Sequence, residues 1–207
     1  MKKFLIQHEH EFIDNGNNED APENLSNRLL VQWAFHIAKG MQYLARMHIM
    51  HGDLAARNIL IGTGNVTFAC FCLTTFKKTY TRPITHCNII IWFISIASLA
   101  DKDENGSPKL VAKVSDFGLS KTFYDNIRYK RQSQQYIPWK WMALEYLQNG
   151  HLTIMSDVWS FGVVLWEIFS FGKEPYINVN VEDMVPQFKS GYHLPCPSEA
   201  SKVCIQS

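Results

Sequence analysis

The chain is predicted to be mainly α-helical with short β hairpins, and three observations carry that reading. Leu30, Trp33, Ala34, Ile37, Met41 and Leu44 recur at helical spacing and form one continuous apolar face. A second run, from about Asp157 to Ser170, is apolar nearly all round, which marks a helix meant for the interior. Between the two, Leu110, Ala112 and Val114 alternate with the two-residue period of a strand over Lys109–Ser115.

In chain order, residues 2 to 12 read as a short, partly polar helix with Phe4, Leu5 and Phe12 as its apolar contacts. The run D-N-G-N-N-E-D-A-P-E, Asp14 to Glu23, is a turn-rich loop. Ser26 then offers an N-cap, with Leu25 before it as a staple, for the first amphipathic helix. Trp33 and Met41 lie on its periodic stripe and are read as core residues. After Leu60 the pattern breaks: residues 61–98 hold two apolar runs with no periodicity, caps or acidic residues. Order resumes with a polar turn at Asp101–Pro108, and the next strand leads into Asp116-Phe117-Gly118. The segment Ile137–Glu145 precedes the apolar helix, for which Ser156 is the expected N-cap. A last helix near Val181–Ser190 stops at Gly191, a suitable C′ residue. Pro186 inside it costs roughly 3 kcal/mol unless the helix kinks or starts late.

The 207 residues allow one large domain or two small ones, and 46% apolar content suits a filled core. A formal charge of +1 gives no reason to expect nucleic acid or an acidic membrane surface as partner. Five irregularly spaced cysteines imply no disulfide framework, and a reducing compartment is the simpler reading. Only Phe4-Leu5-Ile6 comes after the opening Met-Lys-Lys, too little for a signal peptide. Cys87–Ala100 is a 14-residue apolar run, short of the roughly 20 needed to span a bilayer. Cys70, Cys72, His86 and Cys87 depart from zinc-ligand spacing. Gly62-Thr-Gly64 lacks the third Gly or Lys of a phosphate loop.

Chemistry concentrates in His51–Asn58, H-G-D-L-A-A-R-N, where Asp53, Arg57 and Asn58 are bracketed by Leu54, Ala55, Ala56, Ile59 and Leu60. Polar groups packed between apolar anchors suggest a loop held rigid with its side chains pointing one way. Taken singly, Asp53 reads as an Asx-turn, Asn58 as a cap and Asp116-Phe117-Gly118 as a turn tripeptide. Their order along the chain argues otherwise, because Trp139-Lys-Trp-Met-Ala143 and Ser156-Asp-Val-Trp-Ser-Phe-Gly162 lie downstream. Together they resemble protein kinases, whose catalytic loop reads H-R-D-L-x-x-x-N and whose metal-binding motif reads D-F-G. The A-A-R of the loop and P-W-K-W-M-A-L-E are similar to tyrosine kinases. Leu165–Tyr176, L-W-E-I-F-S-F-G-K-E-P-Y, is similar to receptor tyrosine kinases, including the platelet-derived and vascular endothelial growth factor receptor class.

This resemblance implies a protein-kinase-like fold, represented by the large helical lobe without the N-terminal β lobe. It implies ATP and Mg²⁺ as cofactors, with Asp53 as general base, Arg57 orienting the substrate tyrosine, and Asn58 and Asp116 holding the metal. Carboxylate and amide oxygens are the hard ligands that Mg²⁺ takes. His51, Phe117, Gly118, Glu145 and Asp157 are implied structural residues, with Asp157 anchoring the catalytic-loop backbone. Tyr129, and with it Tyr124, are implied phosphorylation sites of the activation segment. The implied partners are protein substrates bearing tyrosine and a second receptor copy, with no nucleic acid, and the implied location is the cytoplasmic portion of a plasma-membrane receptor.

The chain also departs from the pattern. Gly52 stands where kinases carry the Arg that grips an activation-segment phosphate, so phosphorylation of Tyr129 is expected to couple weakly to loop order. No G-x-G-x-x-G, no lysine in a V-A-I-K strand and no partner Glu helix occurs before His51. The expected organisation is a partial kinase domain, 1–60 and 99–207, truncated at both ends. Lacking a later helix that supplies its Arg partner, Glu145 is expected to be unpaired. Asn58 and Asp116 lie 58 positions apart, and residues 61–98 make up 38 of them. That stretch reads as an atypical insertion, either a translated intron or a surface insertion in the hairpin turn. Two functions compete: a tyrosine kinase, and a kinase-lobe fragment that docks partners without turnover.

Overall fold

The computed structural model describes residues 1–15, 27–63, 110–117, 120–122, 138–150 and 152–200. Most of the ordered secondary structure there is helical. The opening helical segment divides at His8 into α1 (Lys2–Gln7) and α2 (Glu9–Asn15). At the division the His8 ring Nδ1 lies 2.9 Å from the Phe4 carbonyl and stacks on the Phe4 ring. Leu5 and Phe12, one from each helix, are fully buried.

The amphipathic stripe forms α3 (Asn27–Arg46), whose Leu29, Leu30, Trp33, Ile37 and Leu44 are buried. Ala34 and Met41 pack against the same core as half-buried contacts. The expected cap, Ser26, lies outside the described residues. α3 rests on β3 (Leu110–Val114), and the Trp33 indole Nε1 donates to the Leu110 carbonyl at 3.0 Å. Gly40 permits the closeness of this contact: a Cβ there would meet Val114 Cγ2 at 3.3 Å. A mid-helix glycine costs about 1 kcal/mol relative to alanine. Burial of a side chain such as Val114 or Ile37 is worth roughly 1.5–3 kcal/mol each, so packing wins.

β2 (Ile59–Thr63) pairs antiparallel with β3, in register from Ile59 opposite Val114 to Thr63 opposite Leu110. Ile61, Gly62 and Thr63, expected to begin the inserted stretch, continue the hairpin ladder, and their backbone groups are paired there. The remainder of that stretch, 64–98, lies outside the described residues. β3 departs from simple alternation, because Val111 is buried along with Ala112 and Val114. A second, two-residue ladder joins β1 (Ile49–Met50) to β4 (Lys121–Thr122).

The apolar helix is α5 (Ile154–Phe169), preceded by the short α4 (Leu144–Asn149). Its cap is Thr153, not Ser156. The Thr153 hydroxyl accepts from the Ser156 N–H and the Ser156 hydroxyl accepts from the Thr153 N–H, a reciprocal capping box in which Ser156 is the third helical residue. Nor is α5 buried all round: Met155 and Val158 are exposed. Its buried face carries Ser156, Asp157, Ser160 and Glu167 beside Val163, Val164 and Ile168. Polar groups occupy the inward face because two loops hang from them.

α6 (Val181–Lys189) accommodates Pro186 and ends as expected at Gly191, with φ +87°. The Tyr192 N–H reaches the Gln187 carbonyl and the Gly191 N–H that of Phe188, which closes the helix end. Two apolar clusters result. The larger joins α1, α2, α3, the β2–β3 hairpin and the inner face of α5, while the smaller packs Trp141, Val163, Tyr176, Met184 and Phe188. In the smaller cluster, burial pushes the Tyr176 hydroxyl up to about 12. The catalytic-loop candidate lies on the seam, with Leu54 in the first cluster and Ala55 in the second. No helix among the described residues is long and apolar enough to cross a membrane.

Candidate active site

The loop His51–Asn58 is suspended from α5. Asp157 is buried, and its two carboxylate oxygens accept the His51 N–H at 2.7 Å and the Gly52 N–H at 3.0 Å. Burial pushes the Asp157 carboxyl above the ordinary carboxylate range, opposed by those two N–H donors. His51, also fully buried, has a defined tautomer. Its Nδ1 accepts from the Asp53 N–H at 3.2 Å, so the proton sits on Nε2, 3.1 Å from the Ser115 carbonyl. Desolvation holds the imidazole below its usual pKa, which keeps the ring neutral. Phe117 packs 5.1 Å from the His51 ring centroid, and the Ser120 hydroxyl donates to the His51 carbonyl at 3.2 Å.

Leu54, Ala55 and Ala56 are fully buried, and the chain then makes a single 3₁₀ turn at Ala56–Asn58. That turn aims three polar side chains at one another. The Asn58 amide donates to the Asp53 carbonyl at 2.7 Å and to Asp53 Oδ2 at 2.9 Å. Arg57 pairs with the other oxygen, Oδ1, and its guanidinium lies over the Trp141 ring at 4.4 Å. Asp53 is thus oriented from both sides while 17% of its side chain remains open. The Ser115 N–H and hydroxyl both donate to the Asn58 carbonyl, at 2.9 and 2.7 Å. This brings Asp116, the next residue, to the same end of the hairpin. Asp116 is exposed and left-handed, with φ +63°, a strained backbone for a residue with a Cβ.

The structure therefore brings Asp53, Arg57, Asn58, His51, Phe117 and Asp157 into one network and puts Asp116 at its edge. Tyr124, Tyr129 and Gly118 lie outside the described residues. Glu145, expected to lack an Arg partner, accepts a hydrogen bond from the Ser156 hydroxyl at 3.3 Å.

Reading the residues missed Glu167, which is fully buried. Its Oε2 accepts both the Ala56 N–H and the Trp141 indole N–H, each at 2.8 Å. A signal was present. Ser156, Ser160 and Glu167 fall at i, i+4 and i+11 in an otherwise apolar helix, a polar stripe at helical period. Ser160 completes it by donating to the Trp141 carbonyl at 2.7 Å.

A sequence profile for protein tyrosine and serine/threonine kinases matches residues 1–206. The chain belongs to that kinase family. The kinase is 34% identical over 180 residues to the myoblast growth factor receptor egl-15 of Caenorhabditis elegans, a match covering 85% of this chain and 13% of the receptor. It is 34% identical over 188 residues to the tyrosine-protein kinase transmembrane receptor Ror of Drosophila melanogaster, covering 91% and 21%. Against the tyrosine-protein kinase receptor torso of Bombyx mori it is 35% identical over 173 residues, covering 84% and 16%. The kinase thus spans about a fifth or less of the length of these relatives. The described fold, mostly a large helical lobe, is consistent with that family, and these relatives carry tyrosine-kinase or growth-factor-receptor names.

The donor set fits a hard divalent cation. The Asn58 amide nitrogen donates to Asp53, so its Oδ1 is an amide oxygen of the kind such a cation takes, and Asp116, one residue beyond Ser115, adds an exposed carboxylate. Among the described residues no group of three His, Cys, Asp or Glu forms a metal site of its own. Any cation held here would therefore need further oxygens, such as those of a bound phosphate.

This geometry has two measurable consequences. Gly52 has φ +78°, where an L-residue pays roughly 1–2 kcal/mol. Gly52→Ala and Gly52→Arg are expected to lower unfolding free energy by about that amount, measured by urea denaturation, and a neutral effect would contradict the assignment of strain. The neutral, buried His51 sets the acid response. Its folded pKa is depressed, so below the ordinary histidine value of about 6.5 the unfolded chain binds a proton that the folded chain refuses. Stability from this group is complete above that value and declines as pH falls below it. A His51→Gln variant is expected to flatten the stability–pH slope there, and an unchanged slope would refute the account.

Proposed function

We propose that this chain is the large-lobe portion of a receptor protein tyrosine kinase, which transfers the γ-phosphoryl group of ATP to tyrosine in protein substrates. The observation that carries the reading is the orientation of Asp53, clamped between the Asn58 amide and the Arg57 guanidinium yet open to solvent. In this reading a substrate tyrosine is laid against the Trp139–Trp141 segment and Arg57, with its hydroxyl directed at Asp53. Asp53 takes the phenolic proton as the phenol oxygen forms its bond to the γ-phosphorus and the bond to the ADP oxygen breaks. Asn58 and Asp116 would hold Mg²⁺, which when bound neutralises charge on the phosphates. Neutral His51 transfers no proton; it fixes the Asp53 backbone from one ring nitrogen and the Ser115 backbone from the other.

Several features support the wider setting. Relatives named as transmembrane or growth factor receptors favour the cytoplasmic side of a plasma-membrane receptor that works as a dimer. The Leu165–Tyr176 motif favours the platelet-derived and vascular endothelial growth factor receptor-like class. Tyr129 and Tyr124 are the proposed phosphorylation sites. With glycine at position 52, no guanidinium stands there to grip a phosphate on Tyr129. Residues 61–98 are proposed as an insertion in the β2–β3 hairpin or a translated intron.

The 207 residues contain neither a G-x-G-x-x-G loop nor a V-A-I-K lysine, which favours a second reading for the chain in isolation: a docking module that engages tyrosine peptides without turnover. ATP–Mg²⁺ phosphotransfer to a tyrosine peptide separates the two. In a longer product carrying this chain, Asp53→Asn is expected to lower kcat by about 10²–10⁴-fold. Undiminished turnover in that variant would overturn the role of Asp53. Peptide binding without turnover in every product would favour docking.

A further inference from the structure

The proposed mechanism leaves the fully buried Glu167 unused. Glu167 projects from the inner face of α5, two helical turns beyond Ser160, and is 0% exposed. A single one of its oxygens, Oε2, receives two N–H donors from two different segments: Ala56 of the catalytic loop and the Trp141 indole of the Trp139–Trp141 turn. Its other oxygen, Oε1, has no hydrogen-bond partner among the described residues. Burying a carboxylate this deeply is unfavourable, and desolvation pushes its pKa above the ordinary range. A leucine would fill a helix–loop seam more cheaply if packing were all that was needed. Carboxylate chemistry at this position therefore needs a reason beyond stability.

The contacts supply one, because they close a ring. Asp53 is held by Arg57, the Arg57 guanidinium lies on the Trp141 ring, and the Trp141 indole N–H is held by Glu167. Glu167 in turn holds the N–H of Ala56, the residue before Arg57. The Ser160 hydroxyl fixes the Trp141 carbonyl, so both ends of that tryptophan are tied to α5. Resting on the reading of this site as one that receives a substrate tyrosine, we propose that Glu167 is a positioning residue that sets the Trp139–Trp141 segment in register with Asp53 and Arg57, and thereby sets affinity for a tyrosine-bearing peptide. Its reach is indirect. It touches neither the base nor the peptide, and acts through the Trp141 ring on which Arg57 lies.

The test uses the 207-residue chain as wild type, Glu167→Gln and Glu167→Leu, with two readouts. The first is the indole N–H resonance of Trp141, assigned by its loss in Trp141→Phe. The second is binding of a fluorescent tyrosine peptide, with the serine counterpart as control. Glu167→Leu is expected to shift the Trp141 indole resonance upfield and to weaken tyrosine-peptide binding by about tenfold, the loss of one charge-assisted hydrogen bond. Glu167→Gln keeps an acceptor oxygen for the indole and is expected to restore most of both signals, even if its melting temperature falls as far as that of the leucine variant. A purely structural glutamate would instead make peptide affinity track melting temperature in the two variants, and that result would overturn the proposal. So would an unmoved indole resonance in Glu167→Leu. If wild type binds no tyrosine peptide, the substrate-binding reading fails, and with it the affinity half of the proposal. The resonance would still decide whether Glu167 holds Trp141.

Discussion

A carboxylate buried on the side of a helix is the constraint on which the site depends. Asp157 accepts two consecutive backbone N–H groups, from His51 and Gly52, and so hangs the start of the His51–Asn58 loop on α5. The buried His51 amide without an acceptor would cost about 1–3 kcal/mol, and the half-buried Gly52 amide adds to that. A loop that turns sharply enough to present both N–H groups to one side chain has few other conformations. The left-handed backbone of Gly52 is part of that turn. The remainder of the loop inherits the geometry. The His51 ring reads the Asp53 amide on one nitrogen and Ser115 on the other, so the segment before Asp116 is set by the residue that begins the loop.

The same helix does this more than once. Asp157 holds the beginning of the loop, Glu167 holds its middle at Ala56, and Ser160 holds the Trp141 segment. These groups sit among Val163, Val164 and Ile168, which bury the helix in both apolar clusters. Apolar burial fixes where the helix lies, and polar groups on the same face fix where the loops lie relative to it. The second task needs direction, which the hydrophobic effect lacks. Hydrogen bonds to charged groups supply it at the cost of desolvation, visible in the raised pKa of both carboxyls.

Much of the fold was legible in the residues themselves. The α3 stripe, the β3 strand and the Gly191 stop all rest on local periodicity or backbone conformation that residues declare singly. The misses share a different cause. Thr153 and Ser156 compete for one cap, and the winner depends on how the preceding turn approaches α5. The length of the β2–β3 hairpin depends on pairing with residues nearly fifty positions away, which no window on Ile61–Thr63 reveals. At the site, the grouping of Asp53, Arg57 and Asn58 was legible because their spacing is short and distinctive. Glu167 acts across 111 positions on Ala56, and its neighbours Trp166 and Ile168 disguise it as an interruption in an apolar helix.

The central claim is that the loop is held by Asp157 and not merely adjacent to it. Amide hydrogen exchange in Asp157→Asn tests this most directly, since asparagine matches the shape but has one acceptor oxygen and an NH₂ facing the second amide. The account predicts that one or both of the His51 and Gly52 amides lose about ten- to a hundredfold in protection, while amides in the middle of α3 keep theirs. Wild-type protection at both loop amides in the variant would contradict it.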